Sequence, residues 1–194
     1  MNDNIPEFII ERADDISALS DFTCGLKSMD AFIHDTEKGL NLYVKLGLTK
    51  LWIVRDSHTI IALFALSKGA LRLSTSDRST LEAQVISIEE TIFDTKETYP
   101  SIEIDYLAVR EGYRKKHIGS FIVNAIAQRA ARDDLSATMF LTVEAIDTTE
   151  YSAVGFYYKC DFKDSEHGLV RNQNMLINGN RSCTKRMYRP LYQL

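Results

Sequence analysis

The chain is poor in everything that marks a specialised class. Its 194 residues hold three cysteines, three prolines and nine glycines. Cys24, Cys160 and Cys183 are odd in number and far apart, so they make neither a disulfide framework nor a zinc spacing. That pattern suits a reducing cytoplasm and leads us to expect no metal. No apolar run approaches the ~20 residues that cross a bilayer. Nor does the start pair a positive cluster with an apolar stretch, as a secretory signal would. A net charge of -4 leaves no broad basic surface of the kind a general nucleic-acid binder needs. What remains is ordinary for a soluble globular protein, with 45% hydrophobic and 26% charged residues. The length fits one domain, 1–194, able to bury a core without disulfide or metal staples.

Along the chain, Phe8 to Glu11 is an apolar run predicting a first strand, and Asp14 is positioned to cap a short helix over Asp15 to Leu19. Met29, Phe32, Ile33, Thr36, Leu40, Tyr43 and Val44 recur at helical steps, capped by Ser28, broken or bent at Gly39 and ended at Gly47. Leu51–Arg55 and Thr59–Leu66 form a hairpin around Asp56-Ser57-His58, with Trp52 and Phe64 as core residues. The spacing of Leu81, Val85, Ile88 and Ile92 predicts a helix over Thr80–Ile92, with loops over Thr75–Ser79 and Asp94–Thr98. Ser101–Val109 follows Pro100 as a strand, with Glu103, Asp105, Leu107 and Val109 on one face. A helix over Ser120–Asp133, with Phe121, Ile122, Ala125, Ile126 and Arg129 on one side, then leads to a strand over Thr138–Ala145. That order predicts a parallel strand pair with a right-handed crossover. A short helix over Ser152–Lys159, a strand from Asp161 and a last strand over Lys185–Leu191 complete a core of about 8–163 and 185–191. The polar stretch 164–183, with its Asn178-Gly179-Asn180 turn signal, is an insertion.

The chemistry is concentrated in LAVREGYRKKHIGSFIV, Leu107 to Val123. Arg110, Arg114, Lys115, Lys116 and His117 crowd between a strand and a helix, Gly119 admits a close ligand, and Ser120 is a candidate cap. A helix start with its oriented N–H groups favours a phosphate-bearing ligand. This run resembles the acetyl-CoA-binding motif of the GNAT superfamily of N-acetyltransferases, written Arg/Gln-x-x-Gly-x-Gly/Ala after a small apolar triplet. Arg114, Gly119 and the triplet Leu107-Ala108-Val109 match, while His117 stands where the pattern has its first glycine. A second element, Ser152 to Phe162, is similar to the family's Ala-x-x-Phe-Tyr-x-x-x-Gly-Phe run through Ala153, Phe156, Tyr157 and Phe162. There Asp161 replaces a glycine, and Glu150 stands where many members carry asparagine.

The resemblance implies an α/β (α+β) fold. Its sheet is mixed, mostly antiparallel and twisted, with a central parallel strand pair and helices on both faces. It further implies acetyl-CoA as cosubstrate and transfer of the acetyl group to a primary amine by direct attack. Leu107, Ala108 and Val109 would pair with the pantetheine arm, while Lys115, Lys116, His117, Ile118, Gly119 and Ser120 would hold the pyrophosphate and Arg114 would face phosphate. Tyr157 would protonate the departing thiolate, a role suited to a group with a reference pKa of ~10. Glu103, six residues before Val109, is either a general base or an acceptor-binding carboxylate. Cys24 reads as a buried small residue and Tyr158 as an ordinary aromatic, with no catalytic role for either.

A finer resemblance comes from Phe22-Thr23-Cys24-Gly25 and Met29-Asp30-Ala31-Phe32. These are similar to Phe-x-Cys-Gly and Leu-Asp-x-Phe elements of a GNAT subgroup that includes toxins of toxin–antitoxin pairs. Those toxins acetylate aminoacylated transfer RNA. Three readings follow: an N-acetyltransferase for an amine acceptor, a toxin with transfer RNA and an antitoxin as partners, and a non-catalytic acyl-CoA-binding module. A homodimer is compatible with all three, and a membrane partner with none.

Overall fold

The computed structural model describes residues 8–82, 96–133, 136–167 and 183–192. Seven strands form one sheet in the order β1-β2-β3-β4-β5-β7-β6. They are β1 (Phe8–Ala13), β2 (Lys50–Asp56), β3 (Thr59–Arg72), β4 (Thr98–Val109), β5 (Phe140–Ile146), β6 (Lys163–Asp164) and β7 (Thr184–Pro190). The sheet is mostly antiparallel with one parallel pair, β4 with β5, as expected. Among the described residues five helices accompany it: α1 (Lys27–His34), α2 (Leu40–Lys45), α3 (Thr75–Glu82), α4 (Ile118–Ala131) and α5 (Val154–Tyr158). No helix among the described residues is long and apolar enough to cross a membrane.

The chain divides into two compact units. The first holds residues up to Ser67 together with Ile104–Val123, and the second holds Lys68–Glu103 with Asn124 onwards. In the first unit, β1 and β2 pair from Phe8 opposite Asp56 to Ala13 opposite Leu51. The β2–β3 hairpin turns at Ser57 and His58, with Ser57 at φ 54°. Residues Ile60 to Ala65 are all buried, the continuous apolar run of an interior strand. Leu19, Phe22, Ile33, Leu40, Leu51, Ile53, Leu63 and Ala108 form the core there.

The helical face expected over residues 29–44, broken or bent at Gly39, is broken into two helices. Asp35 Oδ1 accepts the amides of Glu37 and Lys38 at 2.9 Å each, so a side chain replaces the helical carbonyls. Gly39 follows because a Cβ there would stand 2.0 Å from the Phe32 carbonyl oxygen. The helix starts after Leu26 rather than at Ser28, and Gly47, at φ 70°, closes α2 as expected. Ahead of it, Ser17–Leu19 is a 3-10 turn whose first amide bonds Asp15, not Asp14.

In the second unit, Leu71, Leu73, Leu81, Tyr99, Phe140 and Tyr188 form the core. Phe140 meets Tyr99 and Tyr188 edge to face, with centroids 6.2 and 5.8 Å apart. Thr75–Ser79, expected as a loop, is the start of α3. The Asp77 amide donates to Ser74 Oγ at 2.9 Å and the Ser74 amide to Asp77 Oδ2 at 3.0 Å, a reciprocal cap. Leu81 is buried as expected, whereas Val85, Ile88, Ile92 and the insertion beyond His167 lie outside the described residues. The face of α4 is also turned from the expected one. Ile122 and Ile126 are buried with Val123, Ala127 and Ala130, while Phe121 is 43% exposed and Arg129 is exposed.

Candidate active site

In the first unit, β4 delivers Leu107, Ala108 and Val109 to a short 3-10 turn, Glu111–Tyr113, and then to the basic loop before α4. Lys115 and His117 both adopt left-handed backbone, at φ 61° and 60°. His117 thus takes up a left-handed conformation, which glycine adopts without strain. The Phe121 amide donates to the His117 carbonyl at 2.9 Å, so the amides of Ile118, Gly119 and Ser120 precede the first intrahelical bond. Ser120 lies inside α4, not at its cap, and its hydroxyl donates to the His117 carbonyl at 2.8 Å. Three consecutive helix-start amides beside Arg114, Lys115 and Lys116 make a site for a polyanion. Lys116 Nζ lies 4.9 Å from the Tyr113 ring centroid.

Arg110 belongs to the frame rather than to that site. Its Nε donates to the Ile60 carbonyl at 2.6 Å and its Nη1 to the Asp21 carbonyl at 2.9 Å, and its guanidinium lies over Phe22. The Glu111 amide donates to the Thr23 carbonyl at 3.1 Å. The Phe22-to-Gly25 element is thus bonded directly to the turn that follows β4. Asp30 closes the same element, accepting the Thr23 hydroxyl at 2.7 Å and the amides of Cys24 and Gly25 at 2.8 and 3.1 Å. Burial opposes its charge, but these bonds prevail and hold the carboxyl below its usual range. Cys24 is buried, as expected, and that burial pushes its thiol up, which suits packing rather than nucleophilic work. On β4, Asp105 accepts the Thr49 hydroxyl at 2.6 Å and the Ser67 hydroxyl at 2.8 Å, a pair of anchors without a sequence signal.

The second unit carries Tyr157 and Glu103. Tyr157 is 5% exposed on the five-residue α5, with Phe156 and Phe162 edge to face at 5.0 and 5.2 Å. Burial pushes its phenol well above the usual tyrosine range, with Tyr151 and Cys160 adding to the shift. A phenol in that environment keeps its proton throughout the neutral range. Asp161 ends α5 at φ 64°, again left-handed backbone where the family pattern has glycine. Glu103 Oε1 accepts Arg186 Nη1 at 2.5 Å, and the same guanidinium nitrogen lies 3.6 Å from Glu144. Arg186 was not singled out in the sequence, where a lone arginine on a final strand carries no signal. Glu103 Oε2 lies beside Gly69, where a Cβ would approach it to 3.4 Å.

The comparisons support an acyltransferase. Residues 69–162 match the acetyltransferase (GNAT) family, and solved structures of acetyl-CoA-bound proteins share the fold of the chain. Among solved structures, one described only as a bacterial toxin is 12% identical and superposes with a TM-score of 0.63 over 97% of this chain and 93% of its own. AtaTR bound with acetyl-CoA is 14% identical, with a TM-score of 0.62 over 96% and 95%. A tyrosine-to-phenylalanine mutant of KacT is 14% identical, with a TM-score of 0.61 over 96% of each chain. AtaT complexed with acetyl-methionyl-tRNAfMet is 17% identical, with a TM-score of 0.57 over 82% and 88%. No curated protein matches the chain.

Proposed function

We propose that this protein is a cytoplasmic N-acetyltransferase that moves an acetyl group from acetyl-CoA to a primary amine by direct attack. The observation that carries the reading is the loop from Arg114 to Ser120. It keeps the left-handed backbone of the family motif at His117 and leads three helix-start amides into a cationic turn. Leu107, Ala108 and Val109 bind the pantetheine arm, the amides from Lys115 to Ser120 hold the pyrophosphate, and Arg114, Lys115 and Lys116 neutralise phosphate charge.

The amine nitrogen attacks the thioester carbonyl carbon, forming the C–N bond and a tetrahedral oxyanion. Collapse breaks the C–S bond and expels a thiolate, which takes the proton of Tyr157 Oη. Burial keeps that phenol protonated at neutral pH, so its proton is in place when the thiolate departs. Glu103 accepts the proton lost by the acceptor nitrogen. Arg186 occupies Oε1, so the acceptor side is served by Oε2, next to the space left by Gly69.

A more specific reading makes the acceptor the α-amino group of aminoacylated transfer RNA and the protein the toxin of a toxin–antitoxin pair. Two observations favour it. The Phe22–Gly25 element is joined to the β4 turn by Glu111 and closed by Asp30. The toxin structures also match over nearly the whole chain, not only over the residues that match the family model.

The test is free-thiol release from acetyl-CoA by the purified protein, offered methionine amide, short peptides and charged transfer RNA. Tyr157→Phe should lower kcat about 100-fold and leave the acetyl-CoA KM near the wild-type value. A wild-type protein that neither binds acetyl-CoA nor releases thiol with any acceptor would defeat the proposal. Growth arrest by induced wild type, absent with Tyr157→Phe, would select the toxin reading, and normal growth in both would reject it.

A further inference from the structure

The helix that bears Tyr157 is too short to hold itself. Five residues lie far below the ~12 at which an isolated helix becomes even marginal. On its inner side Val154 and Tyr157 are buried. On its outer side the neighbouring residue, Tyr158, is 46% exposed yet bound at its tip. Tyr158 Oη donates to Asp164 Oδ1 at 2.7 Å and accepts from Lys185 Nζ at 2.9 Å. Lys185 and Asp164 close the triangle with an ion pair of 2.7 Å. The lysine ammonium also stands 5.5 Å from the Tyr158 ring centroid. Asp164 lies on β6 and Lys185 on β7, so the triangle ties α5 to the two strands at the end of the sheet.

We propose that Tyr158, Asp164 and Lys185 form a clamp that fixes the roll of α5 and thereby aims the Tyr157 hydroxyl, making them positioning residues for acetyl transfer. The inference rests on the reading of Tyr157 as the proton donor. Consecutive helix residues are set about 100° apart, so rotation of α5 that frees Tyr158 swings Tyr157 by the same angle. Burial alone does not prevent this, because the Phe156 and Phe162 rings contact the body of Tyr157 and place no restraint on its hydroxyl. A charge-assisted hydrogen bond at both lone-pair and proton side of Tyr158 Oη does supply a directional restraint. The ion pair by itself is exposed enough to add little stability: the Lys185 and Asp164 side chains are 21% and 30% exposed. Its geometry is what matters, since both charged partners converge on one phenol oxygen.

The experiment uses the full chain with Tyr158→Phe, Lys185→Met and Lys185→Arg. Amide hydrogen exchange over residues 154–160 should speed up about tenfold in the first two variants and stay near wild type in Lys185→Arg, which keeps the cation. Exchange elsewhere and acetyl-CoA binding should be unchanged, which also reports that the variants are folded. With methionine amide or charged transfer RNA as acceptor, kcat should fall about five- to tenfold with KM for acetyl-CoA unaltered. The Tyr158→Phe, Lys185→Met double variant should be no slower than either single one, because both changes open the same clamp. Unaltered exchange in α5 overturns the clamp outright. So does wild-type kcat in Tyr158→Phe alongside a collapsed kcat in Tyr157→Phe, and that outcome leaves the proposed chemistry standing. If Tyr157→Phe itself keeps full activity, the proton-donor reading fails and the clamp's role in catalysis goes with it.

Discussion

At the residue scale, two departures from the family pattern have the same physical resolution. His117 and Asp161 stand where glycine is usual, and both adopt φ near 60°. Left-handed backbone costs an L-residue about 1–2 kcal/mol, less for asparagine, aspartate and histidine than for branched side chains. The loop geometry has been kept and a modest strain accepted in its place. His117→Gly should therefore leave stability within about 1 kcal/mol of wild type, the relieved strain offset by glycine's greater chain entropy. His117→Val should fall about 1–2 kcal/mol below His117→Gly, since a β-branched residue is poorly tolerated there. Denaturant midpoints decide this. Equal stability of the valine and glycine variants would mean that the loop does not need a left-handed residue at 117.

At the scale of elements, the N-terminal motifs gain a reason for occurring together. Phe22-Thr23-Cys24-Gly25 is a loop whose polar groups need partners, and Asp30 on α1 supplies three of them. Gly25, at φ 74°, leaves room for the Glu111 side chain, which a Cβ would meet at 2.9 Å. Asp30→Ala should cost about 1–3 kcal/mol by leaving the Cys24 amide without its acceptor and the Gly25 amide with only the Thr23 hydroxyl oxygen at 3.2 Å. The pH dependence has a definite sign. The folded-state pKa lies below the usual 3.8, so this contribution is complete above that value and is lost as pH falls through the folded pKa. Thermal melts of wild type and Asp30→Ala should differ at pH 7 and converge in strong acid. A difference that does not shrink as the carboxyl is protonated in strong acid would refute the assignment.

Elements were legible in the sequence where one pattern dominated. The apolar runs of β2, β3, β4 and β5, the basic turn, and the Phe-Tyr element all carried their own signals. Partners that act across long sequence distances left none: Arg186 on Glu103 and Lys185 on Tyr158 are brought together only by the tertiary fold. Helix bounds failed where a side chain competed with the helical bond, as Asp35 does, or completed one from outside, as Ser74 does for α3. The face of α4 was misjudged because the spacing of Phe121 counts as apolar whether or not a neighbour covers it.

For the whole molecule, charge distribution separates the two acceptor classes. The sum is -4, so any attraction for a polyanion must come from a local cluster such as Arg114, Lys115 and Lys116. An acceptor that is transfer RNA places several phosphates against such a cluster, and each neutralised phosphate releases condensed counterions. With saturating acetyl-CoA, KM for charged transfer RNA should then rise about tenfold or more between 50 and 200 mM salt, the expectation for roughly three phosphate contacts. A small amine carries no counterion atmosphere, so its KM should change less than about twofold over that range. If charged transfer RNA is turned over with a KM indifferent to salt, the basic turn serves acetyl-CoA alone, and recognition of the nucleic acid must come from uncharged contacts to the acceptor end.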